Sequence, residues 1–137
     1  MNLQLKIITP EKIVVSESAN SIVIPTEDGE INVLPGHIPL LTILIPGEIK
    51  IEKDSGVDFI AVDKGFVKIE EDVVSVLTEA AIDIKDIDLA NITDAETRAQ
   101  KALEEARNNP SLDPIEIERL EAVTRFAINQ KLIKSRH

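Results

Sequence analysis

The chain has 137 residues, 25 of them acidic and 15 basic, with a formal charge of -10, three Phe, no Trp or Tyr and no Cys. That balance argues against a nucleic-acid partner, since backbone recognition is largely phosphate neutralisation by Lys and Arg, and the scarcity of rings argues against a base-stacking platform or carbohydrate cleft. Without cysteine there are no disulfides, no thiolate chemistry and no cysteine metal sites. Hydrophobic residues make up 43%, enough for one domain or for a small domain with an appendage.

In chain order, Leu3, Leu5 and Ile7 alternate with Gln4 and Lys6, the pattern of a half-buried strand. The polar interruptions Asn2, Gln4 and Lys6 leave no signal-peptide core at the start. No run approaches the about 18 apolar residues of a membrane span. Ile13–Val15 and Ser21–Ile24 are the next strands. The stretch Glu27–Ile49 then carries six Gly or Pro residues, each closing one apolar run and opening another. Asp28-Gly29 is a hairpin turn and Leu34-Pro35-Gly36 a second turn, with Pro setting φ and Gly free to take a positive value. LLTILI, residues 40–45, is apolar throughout and ends at Pro46-Gly47, which predicts a strand buried on at least one face. Strands about Ile49–Glu52, Val57–Ala61, Phe66–Glu70 and Val73–Thr78 follow, separated by Asp54-Ser55-Gly56, Asp63-Lys64-Gly65 and Glu71-Asp72. About ten short strands in roughly 80 residues predict an antiparallel all-β domain closed into a sandwich or flattened barrel. No helical crossover fits between them, which excludes a doubly wound α/β fold.

Near residue 80 the composition shifts toward alanine and long straight side chains. Thr93-Asp94-Ala95-Glu96 fits a capping box, and Ala95, Ala99, Ala102, Leu103 and Ala106 share one face of a helix over about 93–107. Pro110 ends it. Asp113 as N-cap, Pro114 at N1 and Glu116 at N3 start a second helix over about 114–133. The expected division is a β-sandwich over 1–84 and an antiparallel αα-hairpin over 85–137. Residues 1–82 carry fourteen acids against six bases, and residues 83–137 eleven against nine, so most of the negative field belongs to the β part. Two helices with modest apolar faces gain most of their stability by docking, and such a segment is suited to changing where it docks.

The residues GEINVLPGHIPLLTILIPGEI, with GFVKI and TEAA before DID, resemble the epsilon subunit of the F-type ATP synthase, over essentially the whole chain. The resemblance implies a non-catalytic central-stalk subunit, coupling proton-driven rotation to ATP synthesis. Its β domain is expected to bind the gamma subunit and rest on the c-ring, and its helices to reach the catalytic alpha and beta subunits and inhibit ATP hydrolysis. It also implies a peripheral location on the cytoplasmic face of a bacterial-type energy-coupling membrane. Glu27, Asp28, Gly29 and Glu30 match the loop facing the ring, His37 the segment associated with gamma, and Arg119, Arg125, Lys131 and Lys134 the basic region of the second helix. Some members bind ATP through an Ile/Leu-Asp-x-x-Arg-Ala pattern. Here Ile87-Asp88-Leu89-Ala90-Asn91-Ile92 lacks its Arg and Ala, so no cofactor is expected. Asn32 stands where the family commonly has Gly in a turn.

Other chemistries find little support. His37 lacks companions for a metal site or a catalytic base. The acids at 27–30 lack EF-hand spacing. Glu70, Glu71 and Asp72 are adjacent turn carboxylates, without the burial that acid catalysis needs. An all-β adaptor with a partner-binding helical tail is the alternative reading.

Overall fold

The computed structural model describes residues 2–108 and 114–136, the side chain of Arg136 excepted. The chain divides into two compact units, Met1–Lys85 and Asp86–His137.

The first unit is a ten-stranded β-sandwich. Its strands are β1 (Leu3–Ile8), β2 (Ile13–Ala19), β3 (Ser21–Thr26), β4 (Gly29–Val33), β5 (Leu40–Leu44), β6 (Gly47–Lys53), β7 (Gly56–Val62), β8 (Gly65–Glu70), β9 (Val73–Thr78) and β10 (Ala81–Asp83). They form one continuous sheet in the order β10-β7-β6-β3-β5-β8-β9-β1-β2, with β4 paired to β3. A single pairing, Thr26 with Leu44, joins β3 to β5. The sheet folds over there, so β7-β6-β3 faces β8-β9-β1.

Between the layers lies an aliphatic core that includes Leu3, Leu5, Ile7, Ile22, Ile24, Ile49, Ile51, Ile60, Val67, Ile69, Val74 and Val76. Alternation in each strand puts these side chains on one face. No phenylalanine belongs to this core. The seam between the outer strand β2 and β6 is closed by polar contacts. Lys53 Nζ lies 3.2 Å from Glu17 and 2.5 Å from Asp58, and Asn20 N–H donates to Glu52 O at 2.8 Å.

One pairing departs from the antiparallel expectation. β1 and β9 run parallel, Gln4 opposite Val73 through Ile8 opposite Leu77. Nearly the whole β domain separates these strands in sequence, so no tight turn dictates their direction.

The second unit is an αα-hairpin of α1 (Leu89–Arg107) and α2 (Pro114–Arg136). Glu96, early in α1, meets Lys131, late in α2, while Leu103 and Arg107 share a depression with Glu121 and Thr124, so the helices are antiparallel. α1 starts at Leu89, not at about residue 93. Asp88 is its N-cap, with Oδ1 accepting from Ala90 N at 3.0 Å and Asn91 N at 3.4 Å. A carboxylate at that position satisfies two orphan donors and faces the positive end of the helix dipole. Thr93 is already inside the helix, and its hydroxyl donates back to Leu89 O at 2.9 Å. α2 continues to Arg136, beyond the expected end near 133. The expected break at Pro110 and the cap at Asp113 lie outside the described residues.

Candidate interaction surface

The acidic tip is built by the β3–β4 hairpin. Thr26 pairs with Gly29, leaving Glu27 and Asp28 as the two loop residues. Gly29 has φ +108°, a value a side chain would resist. Thr26 Oγ1 donates to Gly29 O at 2.6 Å, and Glu27 N–H donates to Ile43 O at 3.1 Å. Glu27, Asp28, Gly29 and Glu30 are all exposed on this anchored tip. Asn32 sits not in a turn but in β4, opposite Val23. Its backbone φ is not positive, so a side chain is accommodated there without strain.

His37 is the last residue of a type II turn in which Pro35 and Gly36 are the central residues, Gly36 has φ +85°, and His37 N–H donates to Leu34 O at 3.1 Å. The His37 ring Nδ1 lies 2.7 Å from Ile38 O. Leu34 is 52% exposed and Ile38 74%. Among the described residues, no group of three or more His, Cys, Asp or Glu is placed to hold a metal ion.

Arg119, Arg125, Lys131 and Lys134 do not form one stripe. At about 100° per residue, the six-residue step from Arg119 to Arg125 turns the helix about 240°. Lys131 is directed inward to an ion pair with the mostly buried Glu96 of α1. Arg119 lies 3.6 Å from Glu116 on its own helix. Arg125 lines a depression of about 340 Å³ with Leu103, Arg107 and Thr124. Asp88, the acid of the partial nucleotide pattern, is occupied as a helix cap. Asn91, where that pattern has Arg, donates from Nδ2 to Asp88 Oδ2 at 3.1 Å.

A further apolar feature on the β unit is not evident from the strand pattern alone. Strand registers place Ile43 opposite Phe66, Phe66 opposite Leu77 and Leu77 opposite Ile8. These four side chains form a row across β5, β8, β9 and β1 on the face turned away from the core. Phe66 is 56% exposed and Leu77 50%. Together with Pro10 and Gly65 they line a depression of about 650 Å³. Gly65 is required there for room, because a Cβ would stand 1.8 Å from Leu77 O. Leu41, two residues before Ile43, extends the patch and is 71% exposed. The signal available was LLTILI itself, because a strand apolar on both faces needs cover on both. Contiguous exposed apolar surface on an otherwise charged chain marks an interaction site.

Residues 2–84 match the family described as ATP synthase, Delta/Epsilon chain, beta-sandwich domain. The chain is 35% identical over 128 residues to the ATP synthase epsilon chain of Halalkalibacterium halodurans, covering 93% of each. The chain belongs to the ATP synthase epsilon chain family. A second epsilon chain, from Lacticaseibacillus casei, is 32% identical over 138 residues, covering 98% of this chain and 95% of that one. Among solved structures, a chain of the Euglena gracilis mitochondrial ATP synthase, determined as an OSCP/F1/c-ring assembly, superposes with a TM-score of 0.63 at 26% identity. The match covers 96% of this chain and 81% of that one. A chain of the Tetrahymena thermophila mitochondrial enzyme shares the fold, with a TM-score of 0.58 at 13% identity, covering 98% and 97%. As in other epsilon chains, then, the surfaces above belong to an accessory subunit of ATP synthase. No helix among the described residues is long and apolar enough to cross a membrane.

Proposed function

We propose that this chain is a central-stalk subunit of a rotary ATP synthase that makes and breaks no bonds itself and works by being held between moving neighbours. The observation that carries the reading is the outward row Ile43–Phe66–Leu77–Ile8 in a member of this family. A non-reactive, shape-bearing apolar seat is what a permanent partner subunit requires, because such interfaces gain their energy from a desolvated aromatic and aliphatic centre. The gamma subunit is the partner assigned to this row and to the segment about His37. The exposed tip Glu27–Glu30 is assigned to the c-ring, where exposed carboxylates give register and orientation more than net affinity.

The helical hairpin is assigned to the alpha and beta subunits, with inhibition of ATP hydrolysis as its effect. Lys131 engages Glu96 within the closed hairpin, so its charge becomes available to a partner only when the helices part. The chain itself is taken to be peripheral to the energy-coupling membrane, on its cytoplasmic face, as part of a complex that couples proton-driven rotation to synthesis.

The test is co-purification of the tagged full-length chain from its own cells. Gamma, the c-ring, alpha and beta are expected in the eluate, and an eluate without gamma or the catalytic subunits overturns the reading. For the hairpin, the double charge reversal of Arg125 and Lys131 is expected to raise ATP hydrolysis by the assembled complex. Unchanged hydrolysis removes the inhibitory role.

A further inference from the structure

The β8–β9 hairpin turns through Glu71 and Asp72, both at positive φ, +50° and +63°. Glu70 pairs with Val73 across them, so this is a two-residue turn that favours Asn and Gly at its centre. Neither residue is the one the turn itself prefers. Asp72 has a second engagement that glycine would not supply. Its Oδ1 accepts the N–H of Gly36 at 2.7 Å, 36 residues away in sequence. In a type II turn the only internal hydrogen bond runs to the fourth residue, here from His37 N–H to Leu34 O. The Gly36 N–H, at the third position, therefore has no acceptor within its own turn, and Asp72 provides one. Asp72 is itself fixed, because Gln4 N–H donates to its carbonyl at 2.8 Å and ties it to β1.

We propose that Asp72 is a positioning residue for the interface, a clamp that holds the Leu34–Ile38 turn against the sheet and so fixes how Leu34, His37 and Ile38 meet the stalk partner. Backbone strain retained beside a specific contact points to a task for that contact. The contact is a charge-assisted hydrogen bond that the Gly36 N–H donates to the carboxylate of an anchored hairpin turn, and it ties down the loop that carries the exposed apolar side chains Leu34 and Ile38 on either side of His37. Without it the loop keeps its Pro-Gly turn but loses its attachment, and an interface then has to order it on binding. The inference rests on the proposed stalk function for its partner, while the clamp itself is read in the isolated chain.

Two variants separate positioning from folding. Asp72→Gly removes the carboxylate and suits the positive φ, so the thermal midpoint should hold or rise. Asp72→Asn keeps an acceptor oxygen and tolerates the same backbone. In the free subunit, exchange of the Gly36 amide is expected to accelerate about tenfold or more in Asp72→Gly and to stay near the unsubstituted rate in Asp72→Asn, the scale of losing a hydrogen bond to a charged group. Affinity for a purified gamma–c-ring subcomplex should fall about tenfold in Asp72→Gly, with Asn restoring it. Unchanged Gly36 exchange in Asp72→Gly overturns the clamp. Accelerated exchange with unchanged affinity overturns its role in the interface. If the unsubstituted chain fails to bind the subcomplex while the exchange effect is present, the stalk reading fails and this role fails with it, but the clamp stands.

Discussion

Truncating Phe66 to alanine separates binding from folding. The ring stands on the outer face of β8, opposite Ile43 on one side and Leu77 on the other, and is absent from the aliphatic core. Of the roughly 200 Å² that a Phe side chain can bury, the 56% still exposed amounts to about 110 Å². At about 25 cal/mol/Å² that area contributes about 2.8 kcal/mol when a partner covers it. Alanine retains part of the contact, so the expected loss is about 2 kcal/mol, or roughly 30-fold in Kd. Folding of the free chain should change little, by under about 1.5 kcal/mol, against about 3–5 kcal/mol for a Phe removed from a close-packed core. Calorimetric titration with purified gamma subunit measures the first quantity, and urea unfolding the second. An affinity within twofold of the unsubstituted chain, with folding intact, would refute the assignment of this face. A large fall in the urea midpoint would show instead that Phe66 is a folding residue.

Four further outcomes follow from the same structure. Gly65→Ala places a methyl 1.8 Å from Leu77 O, forcing β8 from β9, and is expected to destabilise the chain by about 2–3 kcal/mol in urea unfolding, at the upper end for overpacking. Asp88→Ala removes the cap of α1 and should cost about 1 kcal/mol, read as faster amide exchange over Ala90–Ile92 with the β domain unchanged. Lys53 is held above its ordinary value of 10.5, chiefly by its hydrogen bond with Asp58 and also by Glu17. A raised pKa stabilises the fold fully below the unfolded value, and this contribution is lost as pH rises through the folded one. Urea midpoints should therefore fall on the alkaline side of 10.5, and Lys53→Met should flatten that fall. Glu52 has the opposite sign. Its hydrogen bond from Ser21, then Lys50, holds it below 4.5, so its contribution is present above 4.5 and is lost as pH falls through the lowered pKa. Ser21→Ala should reduce that acid slope.

The strands and turns were legible because each is a local event. Alternation names a strand, and Gly29, Gly36 and Gly56 mark the turns that need positive φ. The parallel β1–β9 pairing was not legible, since it is decided by how the whole sheet closes. The start of α1 was missed because Thr93-Asp94-Ala95-Glu96 carries a capping-box pattern one turn inside the helix, while Asp88, the true cap, is one of several acids in the run Ile82–Asp88. Which outward positions form a surface was also hidden. Alternation says that Ile43, Phe66 and Leu77 face away from Leu44, Val67 and Val76, but only register places the three side by side. Asp72 is the clearest case. It reads as one more acid in a turn, and its partner Gly36 is brought to it by tertiary structure alone.

The proposed stalk role stands on the outward row across β5, β8, β9 and β1 being where a partner subunit sits. Replacing Phe66 with a photoreactive phenylalanine analogue in the full-length chain and irradiating intact cells tests it most directly. One dominant cross-linked product containing the gamma subunit is expected. Efficient cross-linking to proteins outside the ATP synthase, or no product from a position this exposed, would contradict it.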